Sequence, residues 1–454
     1  MKHIKLASPP PIWKTLGPSF ILLGLALGSG ELLLWPFLAA NWGLGLLWGA
    51  VLGITLQFFL NTEVIRYSLS WSESVFVGFR RLSPLLPVWF IFSTVIPWSL
   101  PGFSSATADI LHELFPSVSS TVFAVGLLLL VGVLLSFGKS LYKTMVRFQT
   151  IIIVVSLVAI VYLVSKLSTA ETWSQMAIGL VGRGDGWWFF PEGVKFSAFL
   201  AAFAYAGAGG NLNLAQTYYI REKGFGMGAF AARITGVLTK SQLSTIRGKT
   251  FPQTAANLAK WRHWWRFTNL EHALIFWFLG LSTIILLAVL AYSTVFGQEV
   301  SSGLSFLYAE SAVIGSQLGT GFGVFFLIIA AFMLFSTQLG VLESSARIIS
   351  ENISLLTNWK KNSFNPSRAF AWIVWLQIGV GIVVYLSGMT EPRALITLSA
   401  LLNATAMMVS FGLLFLLNRK QLKPAQRPGI FRKGVMLFGA AFFLILLAVT
   451  VFGW

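Results

Sequence analysis

The stretch Gly24-Leu-Ala-Leu-Gly-Ser-Gly-Glu-Leu-Leu-Leu-Trp-Pro36 sits inside an apolar run from Leu16 to Ala40. A run of this length spans a bilayer, for which about 20 residues suffice. Its centre nonetheless carries Gly28, Ser29 and Gly30, a poor helical step, followed by the carboxyl group of Glu31. An ionisable group at the bilayer midplane costs about 2.5 kcal/mol or more. Two readings accommodate both features. In one, the glycines form a packing face and Glu31 pairs with a neighbouring helix. In the other, the helix is interrupted at a protected cavity, where freed carbonyls and helix ends bind something. The second is the expectation adopted here.

The 454 residues are 56% hydrophobic and only 10% charged, with a mean hydropathy of +0.77. This composition describes a polytopic membrane protein. The first apolar run is too long for a signal peptide, holds Glu31 and is followed by further spans, so it reads as a retained helix. The chain has no cysteine, which excludes disulfides, thiolate metal ligands and a redox switch. His3, His112, His263 and His272 fall near predicted helix ends or loops, so a histidine-built metal site in the membrane is not expected.

Eleven spans are expected: 16–40, 43–67, 85–108 (with Pro97 and Pro101 inside), 120–138, 145–167, 193–219, 270–296, 319–349, 369–388, 394–417 and 434–452. With the N-terminus inside, 28 of the 32 Lys and Arg residues fall on the inner side and 4 (Lys166, Arg183, Lys195, Arg393) on the outer side. That asymmetry places the N-terminus in the cytoplasm and Trp454 outside, in a cell (inner) membrane. Topology and the lipid bilayer thus account for the net charge of +17, and no nucleic-acid partner is inferred. The long inner segment 221–267 reads as a flexible connector ending in an interfacial anchor, His263-Trp-Trp-Arg266; its glycines fit no phosphate-binding spacing. No hydrolase triad, Walker sequence or nucleophile–base pair within the spans is apparent, and no enzyme is expected.

The sixth span repeats the oddity of the first. Ala208-Gly209-Gly210-Asn211-Leu212 aligns with Gly28-Ser29-Gly30-Glu31-Leu32 at an offset of 180 residues, which is five helices. Two interrupted spans at matching places in two five-helix halves point to a transporter site, and an odd number of helices per half makes the repeat inverted. The expected architecture is therefore an all-α, leucine-transporter-like inverted repeat in one domain, with halves 16–167 and 193–417 and an extra helix 434–452. Glu31, Asn211, Asn213 and backbone carbonyls beside Gly28, Ala208 and Gly209 form an oxygen-only ligand set suited to a hard cation. Gln338 and Asn403, each in mid-span, either face the same cavity or bond a neighbouring helix. Asn61, Glu63 and Arg66, and Glu343 with Arg347, are spaced for local pairs at the inner end.

At these residues the sequence resembles the Nramp (natural-resistance-associated macrophage protein) family of divalent metal transporters. Gly17-Pro-Ser-Phe20, Gly28-Ser-Gly-Glu31 and Gly43-Leu-Gly-Leu-Leu-Trp48 look like that family's first two helices, which read Gly-Pro-Gly-Phe, Asp-Pro-Gly-Asn and Tyr-Gly-Tyr-Ser-Leu-Leu-Trp. Asn211-Leu-Asn-Leu214 and Ser336-Thr-Gln338 look like its helix 6 and helix 8 motifs. The resemblance departs where ligands matter. The family's metal-binding aspartate and asparagine fall on Gly28 and Glu31, its methionine and histidine on Ala208 and Gly210, and its helix 10 glutamine on Ala400, a turn from Asn403. It implies the leucine-transporter-like fold with alternating access, and divalent-cation transport.

The expected function is a secondary transporter that moves a divalent metal cation, magnesium- or manganese-like, held between helices 1 and 6. The cation is substrate; no cofactor is expected, and the sequence leaves the oligomeric state open. The alternatives are a transporter of a small organic solute (an amino acid or amine) on the same fold, and a membrane receptor without transport.

Overall fold

A computed structural model of the chain describes residues 6–11, 16–136, 141–231, 244–298, 304–361 and 363–452. Lys2, His3, Lys5, Lys14, Lys139, Arg233, Lys240 and Trp454, used in the charge count and topology, lie outside the described residues. Nine helices among those described are long and apolar enough to cross a membrane. In chain order they and their companions are α1 (Pro18–Trp42), α2 (Leu44–Ser70), α3 (Leu86–Leu114), the shorter α4 (Ser120–Ser136), α5 (Leu141–Leu167), the two-piece α6a (Phe196–Ala204) and α6b (Gln216–Lys223), α7 (Ala255–Val295), α8 (Thr320–Thr357), α9 (Ser367–Leu386), α10 (Pro392–Gln421) and α11 (Ile430–Phe452). The chain is an integral membrane protein.

Packing partners exchange between the halves. α1 packs on α5, α7 and α8, while α6 packs on α10, α2 and α3. Adding five to each of these partners of α1, or removing five where the count passes ten, yields three partners of α6, which also packs on α8 and α11. This exchange is what an inverted repeat of five helices produces. α1 and α6 touch each other at the centre, and α11 lies outside, against α10.

Several boundaries differ from the sequence expectation for local reasons. α3 is two helical pieces, Leu86–Trp98 and Gly102–Leu114, since Pro101 denies the ladder an amide. The expected flexible connector before α7 is helical from Ala255, where the Thr254 hydroxyl caps the Asn257 amide at 3.3 Å. Of the two tryptophans of the expected interfacial anchor, Trp264 is buried and donates to the Ala7 carbonyl at 2.8 Å, while Trp265 is half-buried. Trp261, one turn before Trp265, is buried as well and donates to the Ser70 hydroxyl at 3.0 Å. His272, placed near a helix end by sequence, lies in mid-α7, stacked on Phe276 at 4.6 Å. Outside the spans, Ala170–Gly179 and Ser305–Leu318 form further helices, and a two-stranded hairpin pairs Arg183–Gly184 with Trp187–Trp188.

Candidate functional site

The two interruptions take different forms. α1 does not unwind. It widens to a π-helix over Leu27–Leu34, and the cause is a side chain from α8. The Gly28 amide donates to the Thr337 hydroxyl at 2.9 Å, and that hydroxyl donates onward to the Gly24 carbonyl at 3.0 Å. In an α-helix the Gly28 amide and Gly24 carbonyl bond each other directly. An inserted hydroxyl that takes both ruptures the ladder at that point.

Each residue of the Gly-Ser-Gly-Glu step then meets a different surface. A Cβ on Gly28 would stand 2.9 Å from the Leu334 Cα, so glycine permits the close approach of α8. A Cβ on Gly30 would run into the Tyr205 carbonyl of the interrupted α6. Ser29 bonds back to the Ala26 carbonyl at 3.2 Å. Glu31 turns to α7, where the Thr283 hydroxyl donates to its Oε2. Its side chain is 0% exposed, and Oε1 has no hydrogen-bond partner among the described residues. No Lys, Arg or His of the described residues pairs with it. α8 thus covers the face of Gly28 and Tyr205 the face of Gly30, on either side of Glu31 in the break.

α6 opens fully between Ala204 and Gly210, with Gly209 and Gly210 at φ 75° and 50°, and continues as a 3-10 turn, Gly210–Ala215. Freed backbone groups in a membrane need partners. Gln57 of α2 supplies them: its Nε2 donates to the Ala204 carbonyl at 3.1 Å, and its Oε1 accepts from the Gly209 amide at 3.2 Å. The same Oε1 accepts from Asn213 Nδ2 at 3.1 Å. Asn213 also lies 3.2 Å from the sulfur of Met407 on α10. A thioether therefore stands at the break, where sequence reading found none.

The sequence-predicted residues gather only in part. Ala208, Gly209, Asn213 and Asn403 assemble at the α6 break; Asn403 donates to the Tyr205 hydroxyl at 3.0 Å and its Oδ1 faces Gly210. Asn211 turns away to α3, donating to Ser93 at 2.8 Å and Thr94 at 3.0 Å. Gln338 accepts from the Ser104 amide at 3.2 Å, capping the second piece of α3, so it bonds a neighbouring helix. Gly28 and Glu31 stand on the other side of the Gly30–Tyr205 contact, facing α8 and α7. Sequence reading missed Gln57, Tyr205, Thr283, Thr337 and Met407. Gln57 alone carried a signal, an amide in the middle of an apolar span.

The end of the bundle rich in Lys and Arg is closed by buried ion pairs. Arg347 of α8 bonds Glu343 and, at 3.1 Å, Glu222 of α6b, while Tyr219 donates to Glu343 at 2.9 Å. Glu63 holds Arg66 at 2.8 Å and Arg432 at 3.2 Å. Glu271 of α7 accepts from the Gly17 and Ser19 amides at 3.4 and 3.3 Å, capping α1 from a second helix. Ser19 Oγ also stands 2.7 Å from His272 Nδ1, a serine–histidine pair unexpected from sequence, but its proton is directed to Glu271. At the opposite end a cavity of about 540 Å³ opens between α1, α6a and α10, lined by Leu34, Phe37, Asn41, Ser197 and Leu401 among others.

An all-α membrane bundle with two interrupted helices in contact, and with partners exchanged between five-helix halves, defines the leucine-transporter-like fold. Solved structures agree. The chain is similar to the manganese transporter of Eremococcus coleocola, solved with an aromatic bis-isothiourea substituted compound (TM-score 0.71, 15% identity, covering 99% of this chain and 89% of that one). It is also similar to Mhp1, a nucleobase-cation-symport-1 family transporter, in a closed conformation (TM-score 0.55, 12% identity, 98% and 93% covered). A third likeness is to MhsT in complex with L-phenylalanine (TM-score 0.53, 12% identity, 95% and 98% covered). At these identities the likeness is one of fold. No protein-family model and no curated protein matches the sequence.

Proposed function

We propose that the chain is a secondary transporter that moves a divalent metal cation, magnesium- or manganese-like, by alternating access, with Glu31 as the group that carries the ion's charge. The N-terminus is cytoplasmic in this reading. The observation that carries it is the state of Glu31: a carboxyl group buried at the centre of the bundle, bonded among the described residues by one neutral hydroxyl, with its second oxygen unpartnered there. Burying an unpaired charge is far costlier than burying a paired one. A bound cation or a proton supplies the missing partner, and exchange between them is what a coupled transporter uses. The manganese transporter of the same fold supports a metal as cargo.

Size favours an ion over an organic solute. With Gly28 against Leu334 of α8 and Gly30 against the Tyr205 carbonyl of α6, neither contact has room for a methyl group. The amide oxygens of Asn213 and Asn403 and the sulfur of Met407 lie across that contact and join Glu31 when the halves rock. The oxygen ligands suit magnesium and manganese alike, while the one thioether is a soft donor that a hard ion such as magnesium does not favour. Closed ion pairs at one end and an open cavity at the other fit a state loaded from outside.

The test is calorimetric binding of Mn²⁺, Mg²⁺ and Ca²⁺ to purified protein, beside flux into proteoliposomes, for wild type and Glu31→Gln. Binding and flux lost together in the variant support the reading. Unchanged affinity in Glu31→Gln sinks it.

A further inference from the structure

The break in α6 and the ion-pair layer below it are joined by buried amides that the site leaves unused. Asn61 follows Gln57 by one turn on α2, and Gln216 follows Asn213 by one turn on α6. The two helices are tied above by the Gln57–Asn213 bond at 3.1 Å and below by Ser68 and Thr217 at 2.7 Å. α10 forms the third wall through Met407, Ser410 and Asn418, at 3.2, 3.3 and 2.9 Å from Asn213, Asn211 and Glu63. Asn61 and Gln216 are 0% exposed, yet both polar atoms of each amide lack a partner among the described residues. The Oδ1 atoms of Asn213, Asn403 and Asn418, above and below them, are likewise unpartnered.

The chemistry of this set is specific. Buried polar groups are held almost always in hydrogen bonds. Here the unpartnered atoms are donors and acceptors together, on the same amides. A bare cation satisfies only the oxygens, and an apolar guest satisfies neither. Water satisfies both, with two to four partners per molecule. The set also runs lengthwise, from Asn403 at the break to Asn418 beside the Glu63, Arg66 and Arg432 cluster, rather than closing around one point.

We propose that α2, the inner part of α6 from the 3-10 turn onward, and α10 enclose a hydrated polar passage from the α6 break to the Lys- and Arg-rich end, and that the transported cation leaves along it with part of its water shell. The second half of this statement rests on the transporter reading; the passage itself does not. Ions such as Mg²⁺ give up water reluctantly, and neutral amides replace or hydrogen-bond those waters without trapping the charge.

The chain has no cysteine, so single cysteines can be introduced into the natural sequence. Asn61→Cys, Gln216→Cys and Asn418→Cys are reconstituted in liposomes and exposed to a small, water-soluble methanethiosulfonate ammonium reagent. Leu60→Cys, at a buried apolar neighbour, is the control. The expected result is modification at least tenfold faster than at Leu60→Cys for whichever of the three variants elute as folded protein, and faster from the Lys- and Arg-rich side. Rates equal to the control overturn the passage. The release role is read separately: Asn61→Leu lowers Mn²⁺ flux at least tenfold while leaving calorimetric Mn²⁺ affinity within twofold of wild type. Flux unchanged in Asn61→Leu overturns that role, and rapid labelling in a protein without flux retains the passage while removing the transporter reading.

Discussion

The Thr337 hydroxyl stands between the Gly28 amide and the Gly24 carbonyl, and so converts the centre of α1 from an α-helix to a π-helix. One side chain of α8 thus sets the geometry of the residue that follows three positions later, Glu31. Thr337→Val keeps the shape and deletes the hydroxyl, leaving two buried backbone groups to re-bond or go without. A lost buried hydrogen bond of this kind costs about 1–3 kcal/mol. The expected outcome is a lower unfolding temperature in detergent for Thr337→Val and a near-native one for Thr337→Ser. Equal values for both variants would show that the hydroxyl does not hold the π segment.

Gly210 takes φ 50° and presents its Cα to Asn403, so a methyl group there collides with the amide oxygen as well as straining the backbone. Overpacking of this kind costs about 1–3 kcal/mol before the strain is counted. Gly210→Ala is expected to abolish or strongly lower the yield of monodisperse protein. Gly412→Ala on α10 meets nothing within 4 Å and is expected to be neutral or stabilising, by about 0.5–1 kcal/mol. Comparable yields for the two variants would contradict the close approach of α6 to α10.

How much of this was legible in the sequence follows from which interactions are local. Apolar run lengths and the Lys and Arg asymmetry are properties of composition, so the spans could be counted, and the offset between Glu31 and Asn211 gave the repeat. The form of each interruption was not legible, because it is decided by partners far away in sequence: Thr337 for α1 and Gln57 for α6. Serine and threonine carry no warning in an apolar run, since they bond their own helix as readily as a neighbour. Asn211 and Asn213 looked equivalent as a pair of polar residues two apart. The 3-10 turn points them to different helices, Asn211 to Ser93 of α3 and Asn213 to Gln57 of α2. Thr254, a common cap residue, was the overlooked sign that α7 begins at Ala255.

Arg347 lies 1% exposed between Glu343 of its own helix and Glu222 of α6b, tying the two elements at the closed end. Removing one member of a buried ion set leaves the others uncompensated, at a cost of about 3–5 kcal/mol. Arg347→Met is expected to loosen α6b from α8 and raise the reactivity of a cysteine placed at Tyr219, measured as in the passage assay, by at least tenfold. Glu343→Gln in the same background restores part of the loss, because it removes the stranded charge. No change in Tyr219→Cys reactivity on replacing Arg347 would mean that the ion pairs do not hold this end shut.

Among the described residues Thr283 offers the one donor that Glu31 receives, and it is placed by the turn of α7 that also brings Gly280 within 3.6 Å of the other carboxylate oxygen, counted from an added Cβ. It therefore positions the carboxyl group without being needed to carry charge. Loss of such an outer partner typically costs about 10–100-fold in metal affinity. Thr283→Val is expected to weaken Mn²⁺ binding within that range, while Thr283→Ser stays near wild type. Glu31→Asp, which shortens the reach to α7, should fall between Thr283→Val and the inactive Glu31→Gln. The order of the four affinities is the decisive readout: a metal site elsewhere in the bundle would leave all four variants alike, and a purely structural Glu31–Thr283 contact would lower unfolding temperatures without ordering the affinities.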